Sequence, residues 1–528
     1  EIYDVIHKIY IKEKWFINMK TVLLKVKIPF LWGKTVFKKE NWAGVNLIVG
    51  PNGSGKTLIA QSLAQQFADA GYSVRLFSTD LVDENEIFYI LNKNPDVKNR
   101  IENVLSNMFA KTIRFEKGSD NSIIPMAVNK AQGIEYSITQ NECHGLKKII
   151  ALLAALYLDE SSANCLMIDE PELHLHPQFQ NFFMNEIRRT AQKNPAQIFF
   201  IITHSPFFID LKTPEELIGV VVCHINKVAT SIEKLSDSDY SLFKRFLPRF
   251  NTYHKQFFFS DNQIFVEGYT DQQIFSSILN KCSDFYRTAG TGIIDVGGKD
   301  ELGVFFKVCS LLGTNARIIT DLDSLFCGKL RDGICRDKRV QQWLDKQIEK
   351  QKPFLQTVFS SNTEHISLLR LITRLEKYLI DLADSVLETQ ALLPHDLEDF
   401  KNRLEKFNTD RDDVDHLDTY KTVILQGVFK AGDYISKFVL NGKSDTISKI
   451  KNLLSLILAA AESARVYILP SGCIEHYYTK NKVSYMPVAA KDKLFHEEYD
   501  FLQTLSAEQI IKNYPELNSI LEKACAKI

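Results

Sequence analysis

Three acidic residues stand where strand ends would gather. Glu267 closes the apolar run of "QIFVEG", and Asp321 and Asp323 close that of "ARIITDLDS". Open α/β sheets bind ligands at the carboxyl edge of their strands. If these two runs are neighbouring parallel strands, their carboxylates converge there. Acids two apart on an extended segment are expected to point the same way. Three anions crowd together only around a counter-charge. Oxygen donors without His or Cys suit Mg²⁺ or Mn²⁺, and such ions activate water and steady the leaving oxygen in phosphodiester cleavage. Gly268 is expected to permit a tight turn after Glu267. Asp271 opens the helix that follows, where its charge suits either the helix N-terminus or a metal. Lys299, in "DVGGKDEL", is placed to meet a phosphate. Glu475, in "PSGCIEHYY", is either a further metal ligand or a surface carboxylate.

A second group lies upstream. "GPNGSGKT" (Gly50, Pro51, Asn52, Gly53, Ser54, Gly55, Lys56, Thr57) is a complete P-loop pattern between the apolar run "NLIV" and a predicted helix. Its backbone N–H groups would close around the phosphates of ATP at the helix N-terminus. Lys56 would reach the outer phosphates and Thr57 would ligate Mg²⁺. "LMIDEPE" lifts Asp169 and Glu170 out at the end of a buried strand. Asp169 is expected to hold Mg²⁺ and Glu170 to orient the attacking water. His204 ends the strand "FFIITHS" and is expected beside the Asp169 strand, near a γ-phosphate. His174 and His176 read as structural histidines rather than metal ligands.

These residues require strands that alternate with helices. That pattern predicts the α/β class, a mostly parallel sheet with covered faces. Residues 19–255 form the expected nucleotide-binding domain, with 83–115 mostly helical and 122–139 irregular or β. Residues 211–260 read as a joining region with further strands in "IGVVVCHI" and "VATSIEKL". A second α/β unit is expected over 256–326, with strands in "QIFVEG", "TGIIDVGG" and "ARIITDLD", and is completed over 464–528 by "RVYILP" and C-terminal helices. Residues 327–463 carry apolar positions at three- and four-residue spacing, broken at Pro394, and read as a helical insertion. Residues 1–18 are read as an uncertain extension.

The upstream residues resemble the ATP-binding-cassette type of ATPase head, in the branch of the SMC and Rad50-like proteins. "NECHGLKKI", residues 141–149, stands where that superfamily has its signature motif and keeps Gly145 of it. In the superfamily this motif completes the ATP site of a second protomer. The resemblance therefore implies a homodimer or higher homo-oligomer formed through the heads. The acidic group resembles a Toprim domain, with Glu267 on one strand and Asp321 and Asp323 on another. The expected fold class is α/β: an ABC-type P-loop ATPase head, then a Toprim α/β domain carrying a helical insertion. Head and Toprim in one chain resemble the OLD (overcoming lysogenization defect) family and its relatives in antiphage defence, including Gabija nucleases and the fused PARIS (phage anti-restriction-induced) branch, which the forms "VEGYTDQQIF" and "GCIEHYY" favour. The resemblance implies ATP and Mg²⁺ or Mn²⁺ as cofactors. It also implies a nucleic-acid target, transfer RNA in a PARIS-like system or DNA in an OLD-like one, and a phage-encoded trigger protein.

Composition narrows the classes. A formal net charge of −1 announces no bulk nucleic-acid binder, so such a partner needs a local patch. Nine scattered cysteines without a CxxC pair argue against a zinc site and for a reducing cytoplasm. The absence of a long apolar run argues against a membrane partner. Two other classes compete: an ATP-dependent assembly scaffold with an inert Toprim domain, and a DNA-repair ATPase. The second needs a long coiled coil within the head, and the segment between Thr57 and Glu142 is too short for one.

Overall fold

Buried apolar runs build both sheets of the chain's two units. The structure, a computed structural model, describes residues 20–78, 84–118, 123–129, 131–158, 164–225, 227–252, 254–259, 262–284, 291–314, 316–359, 365–389, 395–408, 417–440 and 445–526. The extension over 1–18 and the break at Pro394 lie outside these residues. The chain divides into one unit of residues 1–260 with Leu311–Thr314, and another of 261–310 with 315–528.

In the first unit, β1 (Lys20–Val26) and β2 (Phe37–Trp42) pair antiparallel. The strands β3 (Val45–Val49), β4 (Ser73–Ser78), β8 (Asn164–Asp169), β9 (Ile198–Thr203), β10 (Val220–Val222) and β11 (Thr230–Ser231) form the main sheet, in the order β11-β10-β3-β9-β8-β4. All its pairings are parallel except that of β11 with β10. β8 and β9 are buried at every position, the mark of a sheet covered on both faces. Helices α1 (Lys56–Asp69), α2 (Glu84–Lys93), α3 (Pro95–Phe109), α4 (His144–Leu158) and α5 (Pro177–Lys193) run between the strands, and α6 (Asp237–Phe246) follows β11. One face closes over Trp42, Phe67 and Phe200, whose rings meet edge to face at 5.2–6.0 Å.

One expectation needs a narrower bound here. The helical stretch of 83–115 ends at Ala110, whose φ of 55° stops α3. β5 (Lys111–Lys117) follows, in an antiparallel sheet with β6 (Ile123–Asn129) and β7 (Ile134–Ser137). "TIRF" supplies the β-branched and aromatic residues that favour this. The strands expected within 211–260 are present: Val220, Val221 and Val222 are buried and extend the main sheet beside β3, and β11 pairs with them.

In the second unit, β12 (Gln263–Val266), β13 (Gly292–Asp295), β14 (Arg317–Thr320) and β15 (Val466–Ile468) form one parallel sheet in the order β13-β12-β14-β15. All four expected strands are present. α7 (Tyr269–Lys281) follows β12 and α8 (Lys299–Leu311) follows β13. The helical insertion runs between β14 and β15 as α9 (Gly328–Cys335), α10 (Lys338–Phe359), α11 (Leu368–Glu388), α12 (His395–Asn408), α13 (Leu417–Tyr434) and α14 (Asp445–Ser463). In α11 the residues Leu368, Leu371, Leu375, Leu379, Leu382 and Val386 are buried, the apolar face read from the sequence. Each such side chain contributes about 1.5–3 kcal/mol on burial. α15 (Lys491–Thr504), α16 (Ala507–Asn513) and α17 (Pro515–Cys525) close the chain. Leu502, Leu517 and Leu521 join Ile274, Phe275 and Ile278 of α7 in one core. No helix among the described residues is long and apolar enough to cross a membrane.

Candidate metal centre and nucleotide cradle

Strand register decides which side chains meet. Phe265 of β12 lies opposite Ile318 of β14, so Glu267 and Asp321 leave the sheet at the same edge. Ligand oxygens of Glu267, Asp321 and Asp323 all lie within 4.8 Å of one another. The means differs from the expected extended segment. Asp321 is extended, but Leu322–Leu325 coil into a 3₁₀ turn that swings Asp323 back to the same point. Glu267 fastens that turn. Its Oε1 accepts the Thr320 hydroxyl (2.6 Å), the Asp321 N–H (3.1 Å) and the Ser324 hydroxyl (3.3 Å).

Burial and mutual repulsion raise the pKa values of Glu267, Asp321 and Asp271. Burial, then the Asp323 charge, raises that of Glu267. Burial, then Glu267, Asp271 and Asp323, raises Asp321 well above the carboxylate range. Asp271, in the first turn of α7, is pushed up to about 8 by burial and by Glu267 and Glu475. Its charge interacts with the cluster and lies in the first turn of its helix. Gly268 plays a different part from the one expected. Its φ of −148° is extended backbone that any residue adopts.

Asp321 Oδ1 and Asp323 Oδ1 are buried and accept no hydrogen bond. Oxygens desolvated without a donor are costly, and a hard divalent cation is what such a donor set fits. Lys299 supplies a positive charge in part, with its Nζ 3.0 Å from Asp323 Oδ2 and 3.1 Å from Asp418 Oδ2. Glu475 is not the surface carboxylate allowed for. It is 2% exposed, stands outside the close trio and pairs with Lys491 at 3.1 Å. Burial works against its charge, but Cys473 and Lys491 keep its pKa low.

The sign of a pH effect follows. A carboxyl group whose pKa is raised by folding favours the folded state at low pH and loses that contribution as pH rises through the folded value. Here the window runs from the ordinary carboxylate range up to about 8, the Asp271 value. A divalent ion offsets the anions that form in it. The gain in Tm with Mg²⁺ over EDTA is therefore expected to grow from about pH 5 to about pH 9 in a thermal-shift series. A gain independent of pH would show that the carboxylates are already ionised without the ion.

The nucleotide cradle lies at the carboxyl edge of the first sheet. Val49 pairs with Thr203 and Asp169 with Ile202, which brings the P-loop, Asp169 and His204 to one edge. Gly50 is needed where it stands: a Cβ there would come 2.4 Å from the Cys223 carbonyl oxygen. Lys56 Nζ donates to the Gly50 and Pro51 carbonyls at 3.0 Å, folded over the loop. The Thr57 hydroxyl donates to Asp169 Oδ2 at 3.2 Å. Asp169 Oδ1 and Ser54 Oγ are buried without a partner, as suits groups that await a nucleotide and its metal.

Glu170 has φ 49°, a left-handed conformation costly for a side chain with a Cβ. Its N–H donates to the Ile202 carbonyl at 2.9 Å, which holds the turn. Sequence reading missed Glu172. This buried carboxylate accepts the Thr203 hydroxyl (2.8 Å) and the His204 N–H (2.8 Å), and lies 3.0 Å from His204 Nδ1. Glu172 thus orients His204, which stands 3.9 Å from Glu170. Its signal was the third acid of "DEPE".

His176 caps α5, its Nδ1 accepting the Gln178 N–H at 3.3 Å. His174 has φ 63°, and its ring stands 5.9 Å from that of His144. Neither histidine joins a metal-binding group among the described residues. Gly145 lies inside α4, and a Cβ on it would come 2.9 Å from the His174 carbonyl oxygen. Gly145→Ala is therefore expected to cost roughly 1–3 kcal/mol, read as a lower denaturant midpoint with m unchanged.

Comparison with known proteins supports both halves. A family described as "AAA domain, putative AbiEii toxin, Type IV TA system" matches residues 142–210. One described as "Overcoming lysogenization defect protein-like, TOPRIM domain" matches residues 258–323, which include all three clustered carboxylates. The chain carries an AAA-type ATPase domain and an OLD-like Toprim domain. The OLD nuclease of Thermus scotoductus is 28% identical over 191 residues, 35% of this chain and 36% of that protein. Endonuclease GajA of Bacillus cereus is 28% identical over 188 residues, 31% of this chain and 26% of that protein. The matches span only about a third and a quarter of the lengths of these curated relatives. A solved DNA replication initiation factor aligns over 80% of this chain and 88% of its own at 11% identity, but its TM-score of 0.16 carries no weight.

Proposed function

We propose that the chain is an ATP-regulated, metal-dependent nuclease. The observation that carries this reading is the convergence of Glu267, Asp321 and Asp323 at the carboxyl edge of a parallel sheet, with Asp321 Oδ1 and Asp323 Oδ1 unpartnered. Kinship to proteins named as nucleases supports it. Glu267, Asp321 and Asp323 would hold Mg²⁺ or Mn²⁺, with Asp271 and Glu475 beside them. A bound ion supplies charge neutralisation at the scissile phosphate and a nucleophilic water at neutral pH. Glu267 braces the turn that presents Asp323, and Lys299 offers a cation to the phosphate.

In the first unit, Gly50 through Thr57 would take the phosphates of ATP, and Thr57 and Asp169 its Mg²⁺. Glu170 would orient the attacking water, with His204 near the γ-phosphate. Nucleotide binding would pair two heads, Gly145 of one protomer facing the nucleotide of the other, and so gate the Toprim centre. The biological role that follows is cytoplasmic antiphage defence set off by a phage-encoded trigger.

Cleavage of plasmid DNA and of total transfer RNA, with Mg²⁺ or Mn²⁺ and with or without ATP, tests this reading. Cutting of one substrate, lost in Glu267→Ala, fixes both activity and target class. If neither is cut, in buffer or in infected-cell extract, the assembly scaffold with an inert Toprim domain takes its place.

A further inference from the structure

Nothing in the centre itself accounts for the helices between β14 and β15. One side chain connects them to it. Lys299 starts α8 at the carboxylate edge, and the Gly298 N–H before it donates to the Glu267 carbonyl at 2.7 Å. Its Nζ divides between Asp323 of the centre and Asp418 of α13, at nearly equal distances. Asp418 is firmly placed. Its Oδ1 accepts the Thr419 N–H at 2.9 Å, and its Oδ2 accepts the Cys327 thiol at 3.0 Å. α13 is itself docked. Buried Gln426 donates to the Ser471 carbonyl (3.0 Å) and accepts the Met486 N–H (3.0 Å), both beyond β15.

We infer that Asp418 is a positioning residue that holds Lys299 beside the centre, so that the ammonium yields Asp323 to a divalent ion yet stays in reach of the substrate phosphate. The inference rests on the metal-binding reading above. One lysine faces two carboxylates. A divalent ion at Asp323 repels the ammonium, and only a second anion retains it. With Asp418 Oδ2 3.1 Å away, Lys299 keeps one carboxylate partner through the exchange. Without Asp418, Asp323 becomes its one carboxylate partner among these contacts, and lysine and metal compete for the same oxygen. The helical insertion thus completes the centre, and a shift of α13 would change its readiness for metal.

Titration calorimetry of Mn²⁺ into the full chain tests this without any turnover. Lys299→Met removes the competitor and is expected to bind Mn²⁺ on the order of tenfold tighter. Asp418→Asn is expected to bind several-fold more weakly, and the double variant to match Lys299→Met. Asp418→Ser, which suits a helix N-terminus, is the second variant should the first melt early, and the same pattern is expected of it. Wild-type affinity in both Asp418 variants overturns the inference. So does a double variant weakened relative to Lys299→Met by the factor Asp418→Asn shows alone, since Asp418 would then act only as a nearby charge. Wild-type protein that binds no Mn²⁺, or binds it equally after Glu267→Gln, overturns instead the metal-centre reading and this inference with it.

Discussion

Glu267→Gln is expected to lower nucleic-acid cleavage at least about a thousandfold while ATP hydrolysis continues at the wild-type rate. Glutamine has the shape of glutamate and keeps an oxygen for the Thr320 hydroxyl, the Asp321 N–H and the Ser324 hydroxyl that converge on Oε1. The 3₁₀ turn that presents Asp323 should survive. What disappears is one anionic ligand of three. Glu267→Ala is a harsher change, because it strands those donors, at a cost of about 1–3 kcal/mol for each buried group left unpaired. Cleavage lost in both variants, with the melting temperature kept in the glutamine one, assigns the loss to chemistry. Cleavage that persists in Glu267→Gln would place the activity elsewhere. Defence against phage that survives both substitutions would favour the assembly scaffold.

Legibility in the sequence tracked the locality of each signal. Four short apolar runs named the strands of the second sheet, because burial on both faces leaves a continuous apolar stretch. The P-loop and "LMIDE" were legible for the same reason, each a strand joined directly to its functional residues. Asp321 and Asp323 were matched to the right place on the wrong premise: a 3₁₀ turn, not strand alternation, brings Asp323 back beside the extended Asp321. Glu172 and Asp418 were missed because their partners lie far off in sequence. Glu172 meets Thr203 and His204 across the sheet, and Asp418 meets Lys299 across an inserted set of helices. No periodicity encodes such pairings. Glu475 shows the converse. Its sequence context fits a surface turn, and only tertiary packing around Cys473 and Lys491 buries it.

Glu170→Gln is expected to slow ATP hydrolysis on the order of 100- to 1,000-fold while ATP binding is kept, and the consequence for cleavage separates two kinds of gate. The backbone at Glu170 is held left-handed by its own N–H on Ile202, so the side-chain amide should not disturb the turn. Glu172 still orients His204, and Thr57 and Asp169 still meet. Only the carboxylate that would orient the attacking water is neutralised. Lys56→Ala is the contrast: it removes the cation for the outer phosphates, and nucleotide binding is expected to fail. If bound ATP arms the Toprim centre, Glu170→Gln cuts with ATP as the wild type does, and Lys56→Ala does not cut. That is the outcome expected of heads that act by pairing around nucleotide. If cleavage in Glu170→Gln falls together with hydrolysis, turnover drives the gate, and the ATPase works as a motor for each cut.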